Sequence, residues 1–247
     1  MLARRAASSS CRQIVRKQQP SLISSVRRCN TNDATGSPSP SASAAKLTYP
    51  PSPSPHHSDL ASFLSYAKKS GLQESTTVYV GTHYEYTVAA TLAKYGFNLQ
   101  RIGGASDNGT DLLGVWAIPG PSSDADLPPT TVKVLIQCKA GVQRVGPQHV
   151  RELEGAFVGA PPGWKTRVMA WLVCERAATK GVRDALGRSR LPMGYVYCER
   201  DGGVKQMLWN RAAEELGLEG LGVGARHGGD GTELVLMRRG KALRWVK

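Results

Sequence analysis

Residues 132–139 read Val-Lys-Val-Leu-Ile-Gln-Cys-Lys, and this alternation constrains the fold more than any other stretch. Successive side chains of a strand point to opposite faces. Val132, Val134, Ile136 and Cys138 therefore share one face, and Lys133, Leu135, Gln137 and Lys139 share the other. Gln137 and Lys139 point the same way at the strand's end. Upstream, residues 103–111 read Gly-Gly-Ala-Ser-Asp-Asn-Gly-Thr-Asp. Their Gly and Asn residues suit a tight connection with positive φ. Strands are expected over 97–102 and 110–118, with Asp111 at the start of the second. A hairpin of this kind lets Asp111 meet Gln137 and Lys139 across adjacent strands, after a surface loop over 119–130.

The flanking segments supply the layers. Ser58-Asp59 can cap a helix through about Lys69, with Gly71 as its stop. Residues 76–80 are β-branched enough for a short strand or an extended lead-in. Over 81–95, Tyr84, Val88, Leu92 and Tyr95 mark one helical face, and Gly96 stands at the C-terminal stop. Glu85 shares the apolar stripe with Val88 and Leu92. A carboxylate there needs a cationic partner or a metal. Pro147 suits the first turn of a helix through about Phe157. Residues 167–174 form the unbroken apolar run of a central strand covered on both sides. A helix over 179–186 and a strand over 194–198 follow. The last part is expected as a helix over 204–216, a mobile glycine-rich turn and a strand over 232–237. The order implies a mixed α/β layer fold, with residues 201–247 as a C-terminal extension of the core.

The length, 247 residues, suits one domain with an appendage, and no apolar run is long enough for a stable membrane span. Charge is uneven. Residues 1–57 hold eight Lys/Arg and one acid (+7), while 58–247 hold twenty-four against eighteen (+6). Residues 1–30 contain Arg4, Arg5, Arg12, Arg16, Lys17, Arg27 and Arg28 without an acid, among Ser, Ala and scattered apolar residues. That is the composition of a mitochondrial presequence; the other reading is a basic nucleic-acid arm. Residues 31–58 are rich in Pro and Ser, as in a disordered linker. The body, 59–247, is moderately basic, which suits a nucleic-acid partner. The five cysteines form no Cys-x-x-Cys pair and no His is spaced as a zinc partner, so no zinc is expected. Cys138, Cys174 and Cys198 lie in apolar runs and read as reduced core residues.

Several blocks of this chain resemble the PD-(D/E)XK nuclease superfamily, and within it the Mrr-type restriction endonucleases. They are Gly81-x-x-Tyr84-Glu85, Tyr95-Gly96-Phe97, Arg101-Ile102-Gly103-Gly104, Asp107-x-Gly109-x-Asp111-Leu112-Leu113-Gly114, Ile136-Gln137-Cys138-Lys139 and Val150-Arg151-Glu152-Leu153. They cover about residues 80–175. The resemblance implies a restriction-endonuclease-like mixed sheet flanked by helices, with a nuclease core over about 80–200. It further implies Mg²⁺- or Mn²⁺-dependent cleavage of double-stranded DNA. Glu85, Asp111, Gln137 and Lys139 would be catalytic. Asp111, Gln137, Glu85 and the Cys138 backbone carbonyl would bind metal, and Arg101, Arg144 and Arg151 would contact phosphate. Gln137 stands where most of the superfamily has an acid, which removes one negative charge and should weaken metal binding. Many nucleases of this fold cut as homodimers, although no dimer face is visible in the sequence. With residues 1–30 and Val78-Tyr79-Val80-Gly81-Thr82-x-Tyr84-Glu85, the chain also resembles the fungal mitochondrial "required for respiratory growth" protein 7 family. That resemblance implies a matrix protein acting on mitochondrial DNA. The alternative is an inactive nucleic-acid-binding or scaffold factor.

Overall fold

The computed structural model describes residues 47–103, 109–119, 130–141, 144–228 and 231–243. These lie in the compact unit Lys46–Lys247. The expected presequence and residues 31–46 of the expected linker lie outside the described residues.

Helix α1 spans Leu60–Ser70 and its ends are written in the sequence. The Asp59 carboxylate accepts the Ser62 N–H at 2.8 Å, and the Asp59 N–H donates to Ser62 Oγ at 3.1 Å. Gly71 takes φ 67°, and the Leu72 N–H returns to the Ala67 carbonyl at 3.0 Å. Helix α2 spans Thr77–Ala93. It absorbs residues 77–80, where a strand or an extended lead-in was expected. Thr76 caps this helix by accepting the Tyr79 N–H at 3.2 Å. That cap, with Tyr84, Val88 and Leu92 buried on one face, outweighs the weak β preference of the segment.

A six-stranded sheet follows the order β1 (Phe97–Arg101), β2 (Leu112–Ile118), β3 (Thr130–Lys139), β4 (Val168–Cys174), β5 (Met193–Cys198), β6 (Val204–Trp209). Strands β1, β2 and β3 form an antiparallel meander. Strands β3, β4 and β5 are parallel, and β6 runs antiparallel to β5. Parallel neighbours need crossovers. Helices α3 (Pro147–Gly159) and α4 (Lys180–Arg188) supply them.

All seven residues of β4 are buried. Met169, Trp171 and Val173 face the core under α2, while Val168, Ala170, Leu172 and Cys174 face the core under α3 and α4. The sheet is thus covered on both faces. Two glycines permit close contacts: a Cβ at Gly114 would fall 1.9 Å from the Asn98 carbonyl oxygen, and one at Gly194 would fall 2.4 Å from the Trp171 ring. The Pro/Ser-rich segment joins this packing from Leu47 onward. Trp164 Nε1 donates to the Thr48 carbonyl at 2.9 Å, with Tyr49 edge-on to the Trp164 ring.

The C-terminal region differs from the sequence expectation. Residues 204–209 are strand, not helix. The Glu199 N–H donates to the Gly203 carbonyl at 2.8 Å, and Gly202 adopts φ 93°. This tight turn sends the chain back along β5 as a hairpin. Helical structure begins only after Asn210, whose side chain accepts the Ala213 N–H. It comprises α5 (Arg211–Ala213) and a wider turn, Glu214–Leu218. The expected mobile glycine-rich turn is instead largely β7 (Leu221–Gly228). It pairs with β8 (Gly231–Arg238), and β9 (Lys241–Ala242) completes a second sheet. A Cβ at Gly224 would meet Met237 Sδ at 2.5 Å, so the glycine there makes room for a methionine on the paired strand. Leu221, Leu234 and Leu236 join the α2-side core.

Candidate functional site

Asp111 lies immediately before β2 and ties three strands together. Its carbonyl accepts the Ile102 and Gly103 N–H groups, each at 2.8 Å. Its own N–H donates to the Ile136 carbonyl at 2.9 Å, and its carboxylate Oδ2 accepts the Cys138 N–H at 2.6 Å. Continuing the register Leu112↔Ile136 places Asp111 opposite Gln137. Both lie on the α3 side of the sheet, the side shared by Leu113 and Leu135. The two flanking glycines explain the spacing. A Cβ at Gly103 would stand 3.1 Å from both Asp111 Cα and Oδ1, and one at Gly109 would stand 3.2 Å from Gln137 Nε2. Gly109 also has φ 77°, where side chains are strained.

Gln137 is only 6% exposed, and its amide Oε1 has no hydrogen-bond partner among the described residues. A buried acceptor left unmade costs roughly 1–3 kcal/mol, so this atom is set for something to approach it. Lys139, two residues on and on the same face, places Nζ 3.3 Å from Glu152 Oε2 on α3. Both side chains of that pair are well solvated. In the sequence Glu152 stands within the helix block Val150-Arg151-Glu152-Leu153, and nothing in that spacing joins it to Lys139. Val150, Leu153 and Ala156 form the buried face of α3, and Glu152 stands beside it.

Glu85 occupies α2, the other layer. Arg101 Nε donates to its Oε2, and the two side chains are 12% and 13% exposed. Arg101 also reaches Thr82 Oγ1 at 3.4 Å, and its guanidinium lies 5.7 Å from the centroid of the Tyr86 ring. The carboxylate on the apolar stripe therefore has a cationic partner. Arg101, expected on phosphate, spends its fork within the protein. Arg144 and Arg151 are exposed, on the approach to α3 and on α3 itself. Burial pushes the Cys138 thiol well above the ordinary range, and the Asp111 and Glu85 carboxylates add to the shift.

Among the described residues, no three His, Cys, Asp or Glu side chains cluster as a metal site. Among the described residues, the side-chain oxygen donors that meet at the end of β3 are the Asp111 carboxylate and the Gln137 amide oxygen. Two hard oxygens suit a cation such as Mg²⁺, which keeps waters and takes further ligands from substrate phosphate. The residues present fit a weakly held divalent ion.

A family model described as "Required for respiratory growth protein 7" matches residues 76–128 and 122–226, more than half of the chain. An uncharacterized mitochondrial protein of Schizosaccharomyces pombe is 32% identical over 160 residues, covering 64% of this chain and 61% of that protein. Mitochondrial "required for respiratory growth protein 7" of Vanderwaltozyma polyspora is 28% identical over 160 residues, covering 50% of this chain and 64% of its own. The Saccharomyces cerevisiae protein of that name is 25% identical over 171 residues, covering 55% and 71%. The chain thus spans less than two thirds of the first two relatives. No solved structure matches significantly.

Proposed function

This chain belongs to the mitochondrial "required for respiratory growth protein 7" family, and on that premise we propose that it supports respiratory growth as a divalent-cation-dependent phosphodiester hydrolase acting on mitochondrial DNA in the matrix. The observation that carries this reading is the Asp111–Gln137 pairing. A carboxylate fixed by the Cys138 N–H stands across from a buried amide oxygen with no partner among the described residues. Asp111, Gln137 and the Cys138 carbonyl would hold the ion. When bound, Mg²⁺ supplies Lewis-acid charge to the phosphate and to the attacking water. Lys139 carries the cation on this face. Exchanging Glu152 for a substrate phosphate oxygen would place its ammonium against the charge that develops in the transition state. Glu85 keeps Arg101 oriented at the end of β1, and Arg144 and Arg151 offer exposed charge to the DNA backbone. A homodimer would allow both strands to be cut. The test is cleavage of duplex and single-stranded DNA by the full chain with Mg²⁺ or Mn²⁺. Absence of cleavage of every form would refute the reading.

A second reading, a nucleic-acid-binding factor without catalysis, is favoured by one observation: Lys139 and Glu85 are both engaged in ion pairs. It predicts salt-sensitive DNA binding together with normal respiratory growth of cells carrying Asp111→Asn.

A further inference from the structure

A cavity of about 690 Å³ opens between the C-terminal end of α1, the N-terminal end of α2 and the end of β1. His57, Phe63 and Tyr66 form one wall, and Arg101 and Gly103 close the end nearest the sheet. The wall is built rather than incidental. His57 Nδ1 lies 2.8 Å from the Tyr86 hydroxyl, and the Phe63 ring packs against His57, Tyr79 and Tyr86 with centroids 5.1–5.9 Å apart. Tyr66 is braced by the His56 ring, stacked on it at 5.3 Å. Ser70 and Gln73 bring a hydroxyl and an amide to the same space, giving both donors and an acceptor. Val78, 64% exposed, stands on its rim.

We infer that this cavity binds one unpaired nucleotide of the substrate, with its base against the aromatic wall. Its volume falls in the range of small-ligand pockets and is enough for one nucleotide. Tyr66 and His57, each partly exposed with the buried Phe63 ring behind them, offer π surface on which a base stacks, and mixed donors and acceptors suit a base edge. Its position completes the case. Gly103 lines the cavity, and its N–H donates to the Asp111 carbonyl at 2.8 Å, so one residue joins the cavity to the segment that carries the candidate carboxylate. A nucleotide seated here would run its backbone past Gly103 toward the end of the sheet where Asp111 lies. This rests on the hydrolase reading and sharpens it: the substrate is single-stranded DNA, or a duplex that already carries an unpaired nucleotide next to the bond that is cut.

The test is photo-cross-linking of the full chain, in EDTA, to a 20-nucleotide DNA carrying a single 5-iodouracil, either single-stranded or fully paired. The expected adducts map by mass spectrometry to residues 57–73 and form with the single strand far more than with the duplex. Ser70→Trp, at an exposed position lining the cavity, should abolish them, and Tyr66→Ala should weaken single-strand binding about tenfold. Adducts mapping elsewhere, equal adducts with paired DNA, or indifference to Ser70→Trp would overturn the inference. Divalent-cation cleavage measured on the same preparation separates the two readings. Cleavage without adducts in 57–73 refutes the pocket alone, and adducts without cleavage refute the hydrolase and leave a base-binding protein.

Discussion

Replacing Arg101 with alanine removes the guanidinium that Glu85 faces and gives a sharp stability test. Both side chains are about seven-eighths buried, so solvent can do little to compensate. Breaking a pair at such depth costs about 3 kcal/mol, near the low end for buried pairs because some water still reaches them. Losing the cation over the Tyr86 ring adds about 0.5–1 kcal/mol. At roughly 2–4 °C per kcal/mol for a domain of this size, the melting temperature should fall by about 7–16 °C. Combining Arg101→Ala with Glu85→Gln removes the stranded charge and should recover at least about 1 kcal/mol. The assay is urea and thermal unfolding of the two single variants and the double variant at pH 7. If Arg101 were chiefly a phosphate contact, Arg101→Ala would weaken DNA binding and leave the melting temperature unchanged. That result, or a double variant less stable than Arg101→Ala, would refute the reasoning.

Other outcomes follow from the same structure. Gly114→Ala forces a Cβ into the Asn98 carbonyl at 1.9 Å, so it should cost about 3 kcal/mol or more and reduce soluble yield, read by unfolding of whatever is recovered. Burial raises the Cys174 and Cys198 thiols from an ordinary 9 to about 12, so iodoacetamide at pH 8 should label neither in the folded protein and both after unfolding, as read by peptide mass spectrometry. The linkage sign is fixed by the same shifts. Above pH 9 the unfolded chain loses thiol protons that the folded chain keeps, so stability should decline between pH 9 and 12; a flat profile there would contradict it. Gln137→Glu restores an acid at a position only 6% exposed. It should lower the melting temperature in EDTA and give a larger rise with added Mg²⁺ than the native chain shows, with metal affinity up about tenfold.

Local chemistry was legible where it acts within a few residues. Asp59, Gly71 and Gly96 mark helix ends by capping and positive φ, and the alternation of 132–139 assigns faces that the two cores reproduce. The β-branched run 77–80 misled because its fate depends on burial of residues further along α2. Residues 204–209 misled because Val204, Met207 and Leu208 fit a helical stripe as well as an edge strand. Their partner β5 decides, through the Asp201-Gly202-Gly203 turn. At the candidate site, the opposition of Asp111 and Gln137 was legible from strand parity. The Lys139–Glu152 and Glu85–Arg101 pairs were not, since each joins separate elements whose relative rotation is set by packing.

The most direct measurement is cleavage of single-stranded and duplex DNA by the full chain beside Asp111→Asn, with Mg²⁺ or Mn²⁺. Asparagine keeps an oxygen for the 2.6 Å Cys138 N–H bond while removing the charge, so the fold should persist with an unchanged circular dichroism spectrum. The account predicts metal-dependent cleavage by the native chain and a loss of about a hundredfold or more in the folded variant. Equal cleavage by both proteins, or none by the native chain with either metal, would contradict it.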